Sequence, residues 1–269
     1  MHVINMKKNE TNKLINILIK TYPDAKCSLD FKTPFELVVA VMLSAQCTDE
    51  RVNLTTPKLF KRCKTIQDFA NIDIKELEDL IHPCGFYRNK AKNIKKCAKQ
   101  VLEEFNGEVP QNMEGLLTLA GVGRKSANVI LLEVFGIANG IAVDTHCKRI
   151  SNRIGLSKQS DPSKIEQDLL KQIDKKHLKD INHLFIWHGR YTCTARNPKC
   201  DACTINKYCK YYQSKEKSRA IKFDFYALVG KTAQNKNYKI FVQFLLAYII
   251  LTISTILFFL LPYKIQYNY

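Results

Sequence analysis

Short amphipathic segments follow one another along the first 215 residues of the chain. In residues 10–22, for example, apolar side chains recur at spacings of three and four positions, which is the period of a helix. That run stops at Pro23. Over the same part of the chain, no segment alternates apolar and polar residues for long enough to predict a strand. The pattern therefore predicts an all-α fold built from many short helices.

Capping residues mark several of the helix starts. Thr33 and Glu36 have the spacing of a capping box, with Pro34 at the first helical position, and the apolar run 37–43 follows. Asp73 to Glu76 repeats the same spacing. Further helices are predicted at three places: residues 90–104, the segment after Asp161-Pro162, and residues 177–192.

The pattern changes after about residue 215. A basic linker, residues 218–239, leads to residues 240–262, which contain no charged side chain. As a helix this last segment is about 34 Å long at roughly 1.5 Å per residue, enough to cross the hydrocarbon core of a bilayer. It predicts a transmembrane anchor whose preceding lysines keep the folded part in the cytoplasm. The alternative is a misread frame, because its commonest residues have A/T-rich codons.

Composition narrows the class of partner. The chain has 42 basic and 25 acidic residues, a net charge of +17. Such a charge favours a polyanion, with nucleic acid first and a membrane surface second. Residues 1–10 lack the apolar run of a signal peptide, so we expect a cytoplasmic protein. Ten cysteines in a reducing compartment indicate a metal site and scattered buried thiols, not a disulfide framework.

Four of those cysteines are closely spaced. Cys193, Cys200, Cys203 and Cys209 have the spacing C-x6-C-x2-C-x5-C, which can enclose one compact metal centre. Structural zinc usually has two C-x-x-C pairs, and only one is present here, so a 4Fe-4S cluster is favoured over zinc. Four independent buried cysteines are the remaining alternative. The other six have no ligand spacing and are interpreted as core thiols: Cys27, Cys47, Cys63, Cys84, Cys97 and Cys147.

Gly121 and Gly123 lie between two apolar helical runs in residues 116–147. Glycines at this spacing let the backbone approach a ligand, and Arg124 and Lys125 follow at a helix N-terminus, where phosphate is favoured. The pattern predicts a helix-hairpin-helix that holds DNA by its backbone. Both the arginine and the helix terminus disfavour a protonated Lys125, which would make it a nucleophile. The alternative is an ordinary surface lysine.

Together these motifs resemble the endonuclease III family of DNA glycosylases and apurinic/apyrimidinic (AP) lyases. The resemblance covers about residues 7–217 and rests on an ordered set of motifs. They are the hairpin 119–125, the segment Val143-Asp144-Thr145-His146, the cysteine spacing, Ser44 to Asp49, Gly85 to Ala91, and His188 to Cys193. The tail from 218 onward is outside it. Ala120 also departs, because family members commonly have proline there, and we expect its loss to loosen the hairpin slightly.

The resemblance implies a two-lobed helical fold with a DNA groove between the lobes. One lobe would be a six-helix bundle, residues 26–138, with the helix-hairpin-helix at about 112–135. The second would combine residues 1–25 with 139–217 and carry a 4Fe-4S cluster on the loop 193–209. That loop also contains Arg196 and Lys199, which could press on phosphates.

The same resemblance implies that Lys125 forms a Schiff base with the deoxyribose after removal of an oxidised pyrimidine, and that β-elimination then nicks the strand. Asp144 would face Lys125, stabilise positive charge on the sugar and assist proton transfer. Asp144 also fits a helix N-cap. The partner is double-stranded DNA with a damaged base or AP site. We expect a monomer that associates with the nucleoid, with membrane contact only through the tail.

Further DNA contacts are predicted at the residues flanking the flipped nucleotide. Gln46 and Phe86 are interpreted as a polar plug and an apolar wedge that fill the gap in the duplex, although Phe86 also fits an ordinary core residue. Gly121, Gly123 and Arg124 would contact phosphate. His146 could touch a phosphate, support Asp144 or be structural.

Two other functions stay open from the sequence. A monofunctional mismatch-adenine glycosylase of the same superfamily is disfavoured by Lys125 and by the lack of a second recognition domain. A non-catalytic DNA-binding or electron-transfer iron–sulfur protein would use the hairpin and the cysteines alone.

Overall fold

The computed structural model describes residues 8–233, and within them every regular element is a helix. The α-helices, in chain order, are α1 (Lys8–Thr21), α2 (Pro34–Leu43), α3 (Asp49–Arg62), α4 (Ile66–Asn71), α5 (Ile74–Ile81), α6 (Tyr87–Glu104), α7 (Met113–Thr118), α8 (Arg124–Phe135), α9 (Thr145–Ile154), α10 (Pro162–Gln172), α11 (Leu178–Tyr191) and α12 (Lys210–Ala233). Single turns of 3₁₀ helix lie at His82–Cys84, Lys175–His177 and Asn206–Tyr208. The all-α prediction is confirmed for this part of the chain.

Local sequence determines several of the helix starts. At α2 the Thr33 hydroxyl accepts from the Glu36 N–H at 3.2 Å, and the Glu36 carboxylate accepts from the Thr33 N–H at 3.3 Å, so the predicted capping box is present. At α5 the Asp73 carboxylate accepts from two N–H groups of the first turn. Helix α6 begins at Tyr87, three residues before the predicted start at residue 90.

The sequence pattern did not predict α3 and α4. Helix α3 buries Val52, Thr55, Thr56 and Leu59 and contains Pro57, so half of its core-facing residues are polar and a helix breaker lies inside it. Thr55 can face inward because its hydroxyl donates to the Arg51 carbonyl at 2.8 Å. Helix α4 has six residues, fewer than two turns, which is too short for a periodic signal.

Two separate hydrophobic cores are formed by these helices. The first core draws its buried residues from Phe35 to Leu131, on α2 to α8. The second core combines Leu14, Ile15 and Leu18 of α1 with residues from Ile141 to Ile205, on α9 to α11 and the loop beyond. The chain therefore returns its N-terminal helix to the later elements, and the segment after α8 passes from one core to the other.

The contacts between residues group the chain into two compact units, with the boundary between Tyr212 and Gln213. All elements except most of α12 precede that division. Among the described residues, no helix combines the length and apolar character needed to cross a membrane. The predicted anchor, residues 240–262, lies outside the described residues, as does the end of the predicted basic linker 218–239.

Candidate active site

The helix-hairpin-helix consists of α7, a turn at residues 119–123, and α8. Gly121 in the turn has φ +79, and a Cβ there would lie 3.0 Å from the Cβ of Asn93 on α6, so both backbone angle and space require glycine. Gly123 precedes α8 in open space and has no side chain to cap it. The free N–H groups of the first turn of α8 are thus left for a ligand, and anions are favoured there.

Ala120, the departure from the family pattern, has a contact that the sequence did not indicate. Its N–H donates to the Gln100 side-chain carbonyl of α6 at 2.8 Å, and the Gln100 amide donates to the Thr118 carbonyl at 3.0 Å. Proline has no N–H and could not form the first of these bonds. The expected loosening of the hairpin is therefore countered by a side chain that ties the turn to α6.

Lys125 and Asp144 line the same cleft, which has a volume of about 580 Å³ and takes residues from both cores. Lys125 lies in the first turn of α8, is exposed, and its amine has no hydrogen bond or ion pair among the described residues. Asp144 is the N-cap of α9, where one carboxylate oxygen accepts from the Cys147 N–H at 2.7 Å. The cap fixes the carboxylate at the cleft, so capping and an electrostatic role are compatible.

Positive and titratable groups surround this pair. Lys148 of α9 and Arg190 of α11 also line the cleft, as does His146. The His146 Nδ1 lies 3.1 Å from a guanidinium nitrogen of Arg149. Burial lowers the pKa of His146, and the Asp144 carboxylate acts in the opposite direction. The His146 side chain is therefore tied to Arg149 of the same helix, α9, and its contact with DNA stays a prediction.

Arg124 has a structural partner that the sequence did not reveal. Its Nε donates to the Glu166 carboxylate of α10 at 2.6 Å, and Glu166 is only 3% exposed. The same carboxylate accepts from the Asn128 amide at 2.9 Å and from the Ile141 N–H at 3.1 Å. This network ties α8 to the second core, one residue from Lys125. Phosphate contact by Arg124, whose side chain is half exposed, stays a prediction.

Gln46 and Phe86 lie on two exposed turns with unusual backbone angles. Gln46 follows α2 with φ +53, and Phe86 precedes α6 with φ +47 and is 66% exposed. The exposure contradicts the alternative in which Phe86 is an ordinary core residue. Apart from two asparagines, these are the non-glycine residues with positive φ in the described chain. Such strained positions concentrate at functional sites.

Lys90 lies in the motif Gly85 to Ala91, and its side chain is buried, at 7% exposed. Its amine donates to the Leu43 carbonyl at 2.7 Å and to the Cys84 carbonyl at 2.8 Å. Burial lowers the pKa of Lys90. Nothing in the local sequence distinguishes it from the exposed lysines that follow it on α6.

The four spaced cysteines line one small cavity beside His188 and Ile205. Two arginines of α9 hold the loop that carries them. Arg153 donates to the Thr194 carbonyl at 2.7 Å and the Ala195 carbonyl at 2.9 Å, and Arg149 donates to the Cys193 carbonyl at 3.1 Å. Of the six other cysteines, four are buried as expected, but Cys27 and Cys47 are half-buried and line the cleft that Lys125 and Asp144 share.

The donor set fits an iron–sulfur cluster. All four cysteines line a single cavity, and burial raises the pKa of the Cys203 thiol to about 11, so binding a cluster must displace protons. No three metal-binding side chains among the described residues converge on one ion. A four-iron cluster does not require that, because each thiolate binds its own iron.

Comparison with protein families identifies the class. Residues 39–175, which span the hairpin, Lys125 and Asp144, match the family model of the HhH-GPD superfamily base excision DNA repair proteins. Residues 193–209, bounded by the first and last of the four cysteines, match the iron-sulfur binding domain of endonuclease III. The chain is thus a helical DNA-repair protein of the HhH-GPD superfamily with a 4Fe-4S site.

Within that superfamily, the chain belongs to the endonuclease III family. It is 51% identical over 208 residues to an endonuclease III of Synechocystis sp., covering 77% of this chain and 95% of the relative. It is 40% identical over 206 residues to the endonuclease III of Escherichia coli, covering 77% and 97%. The matches cover about the part of the chain that precedes the tail.

Solved structures give the same result. A trapped endonuclease III–DNA covalent intermediate, in an estranged-adenine complex, superposes with a TM-score of 0.74 at 40% identity and covers 78% of this chain and 99% of that chain. A non-covalent endonuclease III–DNA complex matches equally well, with a TM-score of 0.74 at 39% identity. A thermostable thymine-DNA glycosylase, at 20% identity and a TM-score of 0.70, shares the fold.

Proposed function

We propose that the cleft between the two cores carries the reaction of this base-excision repair enzyme, with Lys125 as nucleophile and Asp144 as electrostatic and proton-transfer partner. The enzyme is a DNA N-glycosylase and AP lyase, as its family membership indicates. The observation that carries the assignment is that α8 and the N-cap of α9 bring a free amine and a capped carboxylate to one cleft. We propose oxidised pyrimidines in duplex DNA as the substrates.

The reaction begins once the damaged nucleotide has left the base stack. The neutral Lys125 amine attacks C1′ of the deoxyribose, the glycosidic bond breaks, and the base leaves with the bonding electrons and takes up a proton. A proton then moves from the attached nitrogen to the ring oxygen O4′, and the C1′–O4′ bond breaks as the nitrogen forms a double bond to C1′, which gives a protonated Schiff base. Removal of a C2′ proton then expels the 3′ phosphate, which nicks the strand.

Asp144 supplies a fixed negative charge to this sequence. Positive charge develops on the sugar as the glycosidic bond breaks, and a preorganised carboxylate stabilises it without reorganising. The hydrogen bond from Cys147 occupies one carboxylate oxygen, and the other has no partner among the described residues. That second oxygen is available to exchange a proton with the Lys125 nitrogen.

DNA binding uses backbone groups and two inserted side chains. The hairpin, with Gly121, Gly123 and Arg124, holds one strand by its phosphates, and His146 contacts the DNA from the wall of the cleft that it shares with Lys125. Gln46 and Phe86 fill the space vacated by the flipped nucleotide. Their exposure and positive φ support insertion, since strained and exposed side chains of this kind concentrate at functional sites.

The 4Fe-4S cluster is held by Cys193, Cys200, Cys203 and Cys209. When bound, it supplies a rigid framework to the loop that carries Arg196 and Lys199. Arg149 and Arg153 connect the same loop to α9, whose N-cap is Asp144. The cluster therefore supports the chemistry through the position of α9.

Borohydride trapping tests the nucleophile. Incubation with duplex containing an oxidised pyrimidine should give a covalent protein–DNA adduct, because borohydride reduces the Schiff base to a stable amine. Lys125→Gln should abolish the adduct. Lys148→Gln is the matched control, because Lys148 lines the same cleft, and it should retain trapping. Trapping that survives in Lys125→Gln, or is lost in Lys148→Gln alone, would refute the assignment.

The larger organisation carries further proposals. We propose that residues 26–138 form one lobe and that residues 1–25 with 139–217 form the other, which the two hydrophobic cores support. We propose that the protein acts as a nucleoid-associated monomer in the cytoplasm. Membrane tethering by residues 240–262 also stays a prediction, and a full-length natural protein found only in the soluble fraction would exclude it.

A further inference from the structure

Lys90 places a charged amine inside the first core, where lysine is rarely found. Among the described residues it forms no ion pair, and its two hydrogen bonds go to backbone carbonyls of different elements. A buried ion of this kind is weak support for stability, because desolvation opposes what the hydrogen bonds contribute. Its position relative to the DNA-binding turns accounts for it better.

Each carbonyl lies at the base of one insertion turn. Leu43 is the last residue of α2, three residues before Gln46, and its carbonyl is one of those that a helix end leaves without an intrahelical partner. A cation is favoured at that end of a helix. Cys84 is two residues before Phe86. One amine thus joins the turn of Gln46 to the turn of Phe86.

Both turns need support of this sort. Gln46 and Phe86 have positive φ, and a non-glycine residue keeps such a conformation only where its surroundings impose it. The Lys90 N–H also donates to the Phe86 carbonyl, at 3.1 Å, so two of these three hydrogen bonds of Lys90 go to the turn of Phe86 and one goes to the turn of Gln46. Ser44 and Cys47, on the turn of Gln46, line the active-site cleft.

We propose that Lys90 is a positioning residue that holds the Gln46 and Phe86 turns in one fixed arrangement, so that both side chains enter the duplex together. The proposal rests on the insertion roles given above. Lys90 does not touch the DNA or the reacting atoms. It acts by reducing the number of arrangements that the two turns adopt before they meet the duplex.

Lys90→Met tests this proposal, because methionine has a similar length and keeps the apolar packing but has no donor. We expect kcat/KM on a lesion in duplex to fall by about 10-fold to 100-fold, as misplacement of binding groups does. The rate of cleavage at an AP site in a single-stranded oligonucleotide should stay within about twofold of the wild-type rate. A single strand has no gap in a duplex for the two side chains to fill. Lys96→Met, at an exposed lysine of the same helix, controls for loss of one positive charge.

Gln46→Ala and Phe86→Ala are measured in parallel. If neither weakens duplex activity relative to single-strand activity, the insertion roles themselves fail. If Gln46→Ala and Phe86→Ala do weaken duplex activity selectively, but Lys90→Met has the same activity as Lys96→Met on both substrates, the proposal for Lys90 is overturned. Equal losses on both substrates would also overturn it, because they indicate a general structural role. Iron content checks folding, and Lys90→Gln, with a shorter donor, replaces Lys90→Met if the latter does not retain its cluster.

Discussion

At the scale of single residues, Asp144 combines a helix cap with a charge at the cleft, and one substitution separates them. Asparagine caps helices about as well as aspartate, so Asp144→Asn keeps the hydrogen bond to the Cys147 N–H and loses only the charge. We expect DNA affinity to change little and single-turnover base release to slow by at least about 100-fold.

Asp73→Asn is the matched control for that measurement. Asp73 caps α5 through the Lys75 and Glu76 N–H groups and does not line the cleft. Its substitution should leave the rate of base release unchanged. Unchanged turnover in Asp144→Asn, with binding intact, would reduce Asp144 to a helix cap.

The sequence indicates the candidate catalytic residues better than it indicates which charged residues are buried. Lys125 and Asp144 belong to motifs whose local context, a glycine turn and a helix start, has a chemical meaning of its own. Lys90 and Glu166 do not, because their partners are distant in sequence: Lys90 is 47 residues from Leu43, and Glu166 is 42 residues from Arg124. When the neighbouring sequence offers no partner for a charged residue, sequence reasoning predicts that the residue is exposed. The partners of Lys90 and Glu166 come close only in the folded protein.

At the scale of elements, the hairpin turn depends on α6 through Gln100 and Ala120. Restoring the family's proline in Ala120→Pro restricts the unfolded chain, which stabilises by about 0.4–1 kcal/mol. It also removes a hydrogen bond of 2.8 Å, which costs about 1 kcal/mol. We therefore expect no gain in the urea midpoint of the holoenzyme from Ala120→Pro alone.

Gln100→Leu provides the control, because it removes the acceptor that Ala120 uses. In that background Ala120→Pro loses no hydrogen bond and should raise the urea midpoint. The double-mutant cycle should give a coupling of about 1 kcal/mol. Additive effects would show that the Gln100 contact contributes nothing to the hairpin.

Element prediction from the sequence succeeds where caps and apolar period agree. The start of α2 is determined by its capping box and by a run of apolar residues, and both are visible locally. Helix α3 presents threonines to the core and carries Pro57, so its helical state depends on the neighbouring helices that cover Thr55 and Thr56. That tertiary contribution has no local signature.

At the scale of the whole molecule, the cysteine loop connects elements that are far apart in sequence. Tyr22, just after α1, places its hydroxyl 2.7 Å from the Thr192 hydroxyl and 3.1 Å from the His188 Nδ1. Arg149 and Arg153 hold the loop to α9. Helices α1, α9 and α11 are therefore linked through hydrogen bonds at or beside the cysteine loop. Asp144 is the N-cap of α9, at the end of that helix away from the loop.

Removing one ligand should therefore affect both the loop and the distant chemistry. In Cys203→Ser we expect loss of the bound iron, rapid trypsin cleavage at the exposed Arg196 and Lys199, weaker DNA binding, and slower base release through the displaced α9. Cys97→Ala is the control, because Cys97 is a buried thiol of the first core and lies outside the cluster. The Cys97→Ala protein should therefore retain its iron. Iron analysis and limited proteolysis of the full chain measure these effects.

Two results would contradict this prediction. A Cys203→Ser protein with full iron content and an uncleaved loop would exclude Cys203 as a ligand. A wild-type protein that carries zinc would exclude the cluster itself.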